Sequence, residues 1–270
     1  MKNEKNSVKK APKKSPKKLN WRIVFKVISL LIWVFAVVIV AQLIIGYLML
    51  WILGKESFVK PVSVAIYSAL SYVLAFVCIL FVTPGIGLLI KRKNKKQNYE
   101  IMKRDDLGLK GWPTWTDIGL APVGFIVSLI FAAILIWIFS IFPWFNAEQV
   151  QDVGFNTYIV GFDRIVAFIT LVIIAPIAEE LIFRGWLYGK LRLILSEKVS
   201  EKASVAISIF LVSLLFGIAH MQWNVGVNVF ALSVVLCGLR EITGTIHAGI
   251  LTHMIKNGVA FYLLYVLGIR

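Results

Sequence analysis

The stretch WRIVFKVISLLIWVFAVVIVAQLIIGYLMLWIL, residues 21–53, contains no Asp, Glu or His. A helix needs roughly 20 apolar residues to cross about 30 Å of hydrocarbon. This run is longer than that, and far longer than the 7–15 residues or so of a signal-peptide core. It therefore reads as a retained first membrane span, and that reading sets the fold class.

Further apolar runs follow at 61–90, 117–142, 162–182, 203–219, 225–239 and 243–267. The expected architecture is all-α, a polytopic transmembrane helix bundle of about seven spans, with six or eight as the neighbouring counts. The runs at 203–219 and 225–239 are short, the second falling below the usual 17–25 residues or so. Composition agrees. The 270 residues are 59% hydrophobic and 16% charged, with a mean hydropathy of +0.82. Soluble domains run near 45–50% apolar and about 25% charged.

The net charge of +15 is concentrated before Trp21 and between Lys91 and Lys110. Basic segments beside apolar spans mark the cytoplasmic side and anionic lipid heads. The chain has no folded basic domain that could bind nucleic acid, so the expected partners are membrane lipids and a membrane-associated protein or peptide. Residues 1–20, Lys-rich with Pro12 and Pro16, read as a disordered cytoplasmic tail. The loops 91–110 and 184–202 are basic, whereas 143–163 carries Glu148, Asp152 and Asp163 and no Lys or Arg. That alternation predicts a multi-pass protein of the cell membrane with its N-terminus in the cytoplasm. The polar stretch 91–116 divides two N-terminal spans (21–116) from the remaining 117–270. Cys78 and Cys237 lie in apolar runs, form no CxxC pair, and read as packing residues.

Acidic and histidine side chains are missing from the middles of the N-terminal spans and gather beyond Phe162. Glu179 and Glu180 end an apolar helix, His220 closes the fifth run, and His247, His253 and Asn257 occupy the last. A charge near the bilayer centre costs about 2.5–3.5 kcal/mol on insertion scales, so each such residue is a functional candidate. Glu180 and Arg184 are i,i+4 neighbours and can pair, whereas Glu179 is turned by about 100° from Glu180. Glu180–Arg184 thus reads as a positioning pair and Glu179 as the freer carboxylate. Pro176 removes a backbone hydrogen bond and is expected to kink the helix and admit water.

A carboxylate with a histidine can activate water as a general base, and a second histidine with an amide can donate to an oxyanion. Each residue also has a plainer reading. The glutamates can face lipid heads, and His220 can cap its helix. Phe216 is most simply a packing residue that holds the His220 ring. His247, beside Gly244, Thr245 and Gly249, reads as structural, and Asn257 can be interhelical glue.

Glu179-Glu180-x-x-x-Arg184, Phe216-x-x-x-His220 and His253-x-x-x-Asn257 occur in order on successive apolar helices. This pattern resembles the CAAX-processing and bacteriocin-protection (Abi) family of intramembrane proteases. The stretches Glu-Glu-Leu-Ile-Phe-Arg-Gly-Trp (179–186) and Leu-Phe-Gly-Ile-Ala-His (215–220) carry the likeness, which covers about residues 160–265. The resemblance implies an endopeptidase in which Glu179 and His220 hold the attacking water. His253 and Asn257 would stabilise the oxyanion, with Glu180 and Arg184 supporting. It also raises zinc as a candidate cofactor, with Glu179, His220 and His253 as the ligand set. No H-E-x-x-H helix is present, however, and the reading favours glutamate-activated water without metal. The alternatives are a non-catalytic membrane partner or bacteriocin-immunity protein, and a proton-coupled carrier. No G-x-S-G or G-x-G-D protease motif accompanies these residues.

Overall fold

The computed structural model describes residues 21–56, 60–82, 102–148 and 159–269. The tail 1–20, the basic loop as far as residue 101, the end of the second apolar run beyond residue 82, and Asp152 lie outside the described residues. Those described form helices and turns, with no strand among them.

The first three helices are α1 (Trp21–Leu53), α2 (Pro61–Val77, continued by a widened turn at Cys78–Val82) and α3 (Trp115–Phe139). The fourth, α4, is a continuous Gly161–Ser196. Then come α5 (Glu201–Ala219), α6 (Trp223–Thr243) and α7 (His247–Phe261, continued by a widened turn at Tyr262–Val266). Helices α1 to α6 are long and apolar enough to cross a membrane. The seventh is diluted by His247, His253, Lys256 and Asn257. The protein is an all-α transmembrane bundle.

Two expectations are corrected. The fourth span does not stop at residue 182. It runs 36 residues, about 54 Å at 1.5 Å per residue, so Arg184, Lys190 and Arg192 sit on helix rather than in a loop. The sixth span is 21 residues, not 15, because Trp223 and Asn224 open it and Arg240 to Thr243 extend it. The broken apolar pattern hid both ends.

Local chemistry sets the helix limits. The Thr114 hydroxyl and Asp117 form a reciprocal capping box that starts α3. The Ser200 side chain accepts from the Ala203 N–H and starts α5. Gly244, at φ +70°, ends α6 in the left-handed conformation that glycine adopts without a Cβ clash. Within α4, widened (π) turns occupy Ile169–Ile174 and Glu180–Tyr188, one on each side of Pro176. Proline has no N–H to donate and its ring crowds the carbonyl one turn earlier. The helix absorbs both by widening, so Pro176 produces irregular turns in an otherwise continuous helix.

Cross-chain contacts fix which helix ends lie together. Arg240 donates to the carbonyls of Asp106 and Leu107, and the Ile246 N–H donates to Gly108 O. Arg192 pairs with Glu201 and Glu241. The chain before α3, the end of α4, the start of α5 and the α6–α7 turn therefore share one end of the bundle. Trp144 and Trp223, 5.6 Å apart at their centroids, bring the far end of α3 to the start of α6. Exposed tryptophans lie at both ends, with Trp112 and Trp115 at the first and Trp137, Trp144 and Trp223 at the second, as in the aromatic belts of membrane interfaces.

One buried cluster joins Val34 and Ala41 of α1 and Ala75 and Ile79 of α2 to Ile182, Trp186 and Leu191 of α4 and Phe216 of α5. The N-terminal spans thus share a core with the helices that carry the acidic and histidine residues.

Candidate active site

The adjacent glutamates of α4 diverge, as helix geometry requires. Glu180 is fully buried, and its Oε1 accepts from Arg184 Nη1 at 2.9 Å. The same oxygen lies 3.0 Å from His253 Nδ1 on α7. An ionised carboxylate can only accept, so Nδ1 is the donor. The ring's other nitrogen, Nε2, lies 3.7 Å from Glu179 Oε2, beyond direct hydrogen-bonding distance. A water about 2.8 Å from both atoms would subtend roughly 80° there.

Glu179 keeps 16% side-chain exposure, against none for Glu180. Its Oε1 accepts from the Tyr72 hydroxyl at 2.6 Å, a length typical of charge-assisted O–H···O bonds. Tyr72 belongs to α2, which packs against Ala175–Glu179. Sequence reasoning missed this residue, since nothing in the apolar span around it marks it out. The available signal was a hydroxyl amid apolar neighbours, with Ser71 before it.

Close approach of α7 to α4 depends on Gly249, where a Cβ would stand 3.2 Å from Glu180 Oε2. Burying Glu180, Arg184 and His253 together is eased by Arg184 Nη1 and His253 Nδ1 both meeting Glu180 Oε1, while Glu180 Oε2 and Arg184 Nε and Nη2 have no hydrogen-bond partner among the described residues. An unpaired ion there would be far more costly.

Phe216 of α5 occupies the middle. The Arg184 guanidinium lies 4.4 Å over its ring, and the rings of Phe183, His220 and His253 pack against it at 5.0, 4.9 and 6.0 Å. It orders the Arg184 fork and both histidines at once. His220, the C-cap of α5, makes a 2.8 Å bond between Nδ1 and Phe216 O. A carbonyl only accepts, so Nδ1 carries the proton and the neutral ring keeps the Nε2 lone pair. His220 is within electrostatic reach of Glu179, but no ion pair joins them among the described residues. Gly217 and Gly226 bring α5 and α6 together beside it, since a Cβ on Gly217 would lie 2.8 Å from Gly226 O.

Asn257 donates one amide hydrogen to Leu171 O at 2.9 Å. Leu171 lies five residues before Pro176, so its carbonyl is the acceptor a widened turn would offer to the N–H that proline lacks. The second amide hydrogen remains for other use. His247 is buried, away from this group, at the start of α7.

The structure thus brings Glu179, Glu180, Arg184 and His253 together, holds His220 through Phe216, and anchors Asn257 to the irregular turn of α4. It does not gather Glu179, His220 and His253 as metal ligands. Among the described residues no three His, Cys, Asp or Glu side chains form such a group, and no step is assigned to zinc.

Residues 161–259 match the model of a family described as Rce1-like, type II CAAX prenyl endopeptidase. The match spans α4 to α7 and ends before the final widened turn. The chain matches no curated protein and no solved structure.

Proposed function

We propose, from the match of residues 161–259 to the model of the Rce1-like family of type II CAAX prenyl endopeptidases, that this multi-pass membrane protein hydrolyses a peptide bond by glutamate-activated water. The observation that carries the reading is the buried Glu180–Arg184–His253 cluster beside a partly exposed Glu179. Glu180 Oε1 is held by both Arg184 and His253, which leaves Glu179 as the carboxylate open to take a proton.

In this mechanism a water beside Glu179 Oε2 attacks the scissile carbonyl carbon. Glu179 takes one of its protons, assisted by the His220 Nε2 lone pair. The carbonyl oxygen becomes an oxyanion, stabilised by the second amide hydrogen of Asn257 and by His253 Nε2–H in the doubly protonated ring, whose Nδ1–H stays on Glu180. Glu180 and Arg184 hold the His253 ring in place. Collapse of the tetrahedral intermediate breaks the C–N bond, and Glu179 returns its proton to the leaving amine.

The substrate is a membrane-associated protein or peptide, and lipids surround the enzyme. The basic groups Lys103, Arg104, Lys110, Lys190, Arg192, Lys198 and Lys202 all lie toward the end of the bundle that holds the starts of α3 and α5. By the positive-inside rule that end faces the cytoplasm of a cell-membrane protein. With α1 and α2 antiparallel, the start of α1 at Trp21 lies on the same side, consistent with a cytoplasmic N-terminus.

The test compares newly formed protein termini in membranes of cells expressing the wild-type chain or Glu179→Ala at matched levels. Termini that vanish in the variant establish proteolysis and name the substrate. Identical sets of termini from two folded proteins would reject the endopeptidase reading in favour of a membrane-bound binding or immunity protein.

A further inference from the structure

Tyr72 lies on α2, outside the segment that matches the family, yet its hydroxyl is 2.6 Å from Glu179 Oε1 across 107 positions of sequence. We infer that Tyr72 is a positioning residue for Glu179, so that the N-terminal spans complete the active site. This rests on the endopeptidase reading above and assigns part of its chemistry to the other half of the chain.

The argument starts from the freedom of a glutamate. Its terminal torsion is broad and roughly two-fold, so the side chain alone does not decide where each oxygen points. Two groups compete for Glu179. On one side the Tyr72 hydroxyl holds Oε1. On the other the His253 ring, already tied to Glu180 through Nδ1, presents Nε2 at 3.7 Å from Oε2. Without the hydroxyl, a small rotation would let the carboxylate close onto His253 as a direct ion pair, occupying the place where water must bind. With it, the gap persists and Oε2 faces the attacking molecule.

The helix pairing supports this role. Helix α2 packs on Ala175–Glu179, the regular α-helical turn around Pro176, so the donor is set against the short segment of α4 that lies between its two widened stretches. Ala75 and Ile79, on the same side of α2 one and two turns on, are buried in the shared core. The hydroxyl is thus mounted on a packed helix, and its position does not depend on Glu179.

The test uses the full chain in liposomes, with a quenched fluorescent peptide spanning the junction mapped by the termini comparison. Tyr72→Phe removes only the hydroxyl, and p-aminophenylalanine at position 72 restores an N–H donor. We expect Tyr72→Phe to lower kcat by about 10- to 100-fold with KM changed less than about twofold, and p-aminophenylalanine to recover part of that loss. In a Glu179→Gln background, Tyr72→Phe should change the residual rate less than about twofold, because both act through one carboxylate. An unchanged kcat in folded Tyr72→Phe, a loss confined to KM or melting temperature, no recovery with the amino analogue, or additive losses would each overturn the inference. If Glu179→Gln itself leaves cleavage intact, the endopeptidase reading falls and this inference falls with it. If Glu179→Gln is inactive and Tyr72→Phe is not, this inference fails alone.

Discussion

His253 Nδ1 lies 3.0 Å from Glu180 Oε1, although the two residues are 73 positions apart on α7 and α4. Arg184 reaches the same oxygen at 2.9 Å, so one buried atom holds both a guanidinium and an imidazole. Two helices are locked together there, and the ring of the histidine is oriented in the same act.

The first expectation separates the adjacent glutamates. Glu179→Gln keeps an acceptor for Tyr72 and should shift stability by less than about 1 kcal/mol, while cleavage falls by about 10²- to 10⁴-fold. Arg184→Ala leaves Glu180 buried with its main counter-charge gone and should destabilise by about 3–5 kcal/mol. Thermal melting in detergent beside cleavage rates checks both. If both variants lose activity only in proportion to lost fold, Glu179 has no special role.

Arg184→Lys should not restore the wild type. The planar guanidinium lies over Phe216 while one nitrogen reaches Glu180. An ammonium keeps the charge and loses the stacked plane. Stability intermediate between wild type and Arg184→Ala is expected, read from the same melts.

Gly249→Ala probes how closely α7 must approach. The new methyl would sit 3.2 Å from Glu180 Oε2, so the carboxylate or the helix must give way by a few tenths of an ångström. We expect a rate loss of about tenfold as the His253–Glu180 bond is disturbed. Gly238→Ala, with nothing within 4 Å of its Cβ, is the control and should be neutral or mildly stabilising. Equal behaviour of the two variants in a cleavage assay would count against this account.

Phe216 should prove more than filler. Phe216→Ala leaves a cavity between Arg184 and both histidines and should cost about 3–5 kcal/mol. Phe216→Leu fills much of the space but removes the ring face, so it should fold and show a reduced kcat at near-normal KM. Wild-type kcat in a folded Phe216→Leu would reduce the residue to a space-filling part.

The Gly217–Gly226 contact sets the place of His220. A methyl on either glycine meets the other's carbonyl, at 2.8 Å from Gly217 and 3.0 Å from Gly226, and backbone cannot swing aside. Gly217→Ala and Gly226→Ala should each destabilise by about 1–3 kcal/mol and slow cleavage. Hydrogen exchange at the α5–α6 turn should rise in both; unchanged exchange would exclude the contact as the cause.

By itself the sequence determined the membrane fold and singled out most of the polar residues that the fold brings together. Long apolar runs admit few structures, and polar residues within them stand out because their burial in hydrocarbon is costly. Glu180 and Arg184 were legible as a pair because helix geometry puts i and i+4 on one face. Only the tertiary structure decided who meets whom between helices. Periodicity says nothing about which neighbour a face will touch, so His253 emerged as the partner of Glu180. The Leu171 contact of Asn257 depends on widened turns around Pro176 that a regular helix would not offer. Tyr72 was hidden for the same reason. A tyrosine in an apolar span resembles any packing aromatic until the fold sets its hydroxyl against a carboxylate. The ends of α4 and α6 escaped because charged residues on a continuing helix look like a loop when only apolarity is read. Backbone hydrogen bonding carries those helices past the last apolar residue.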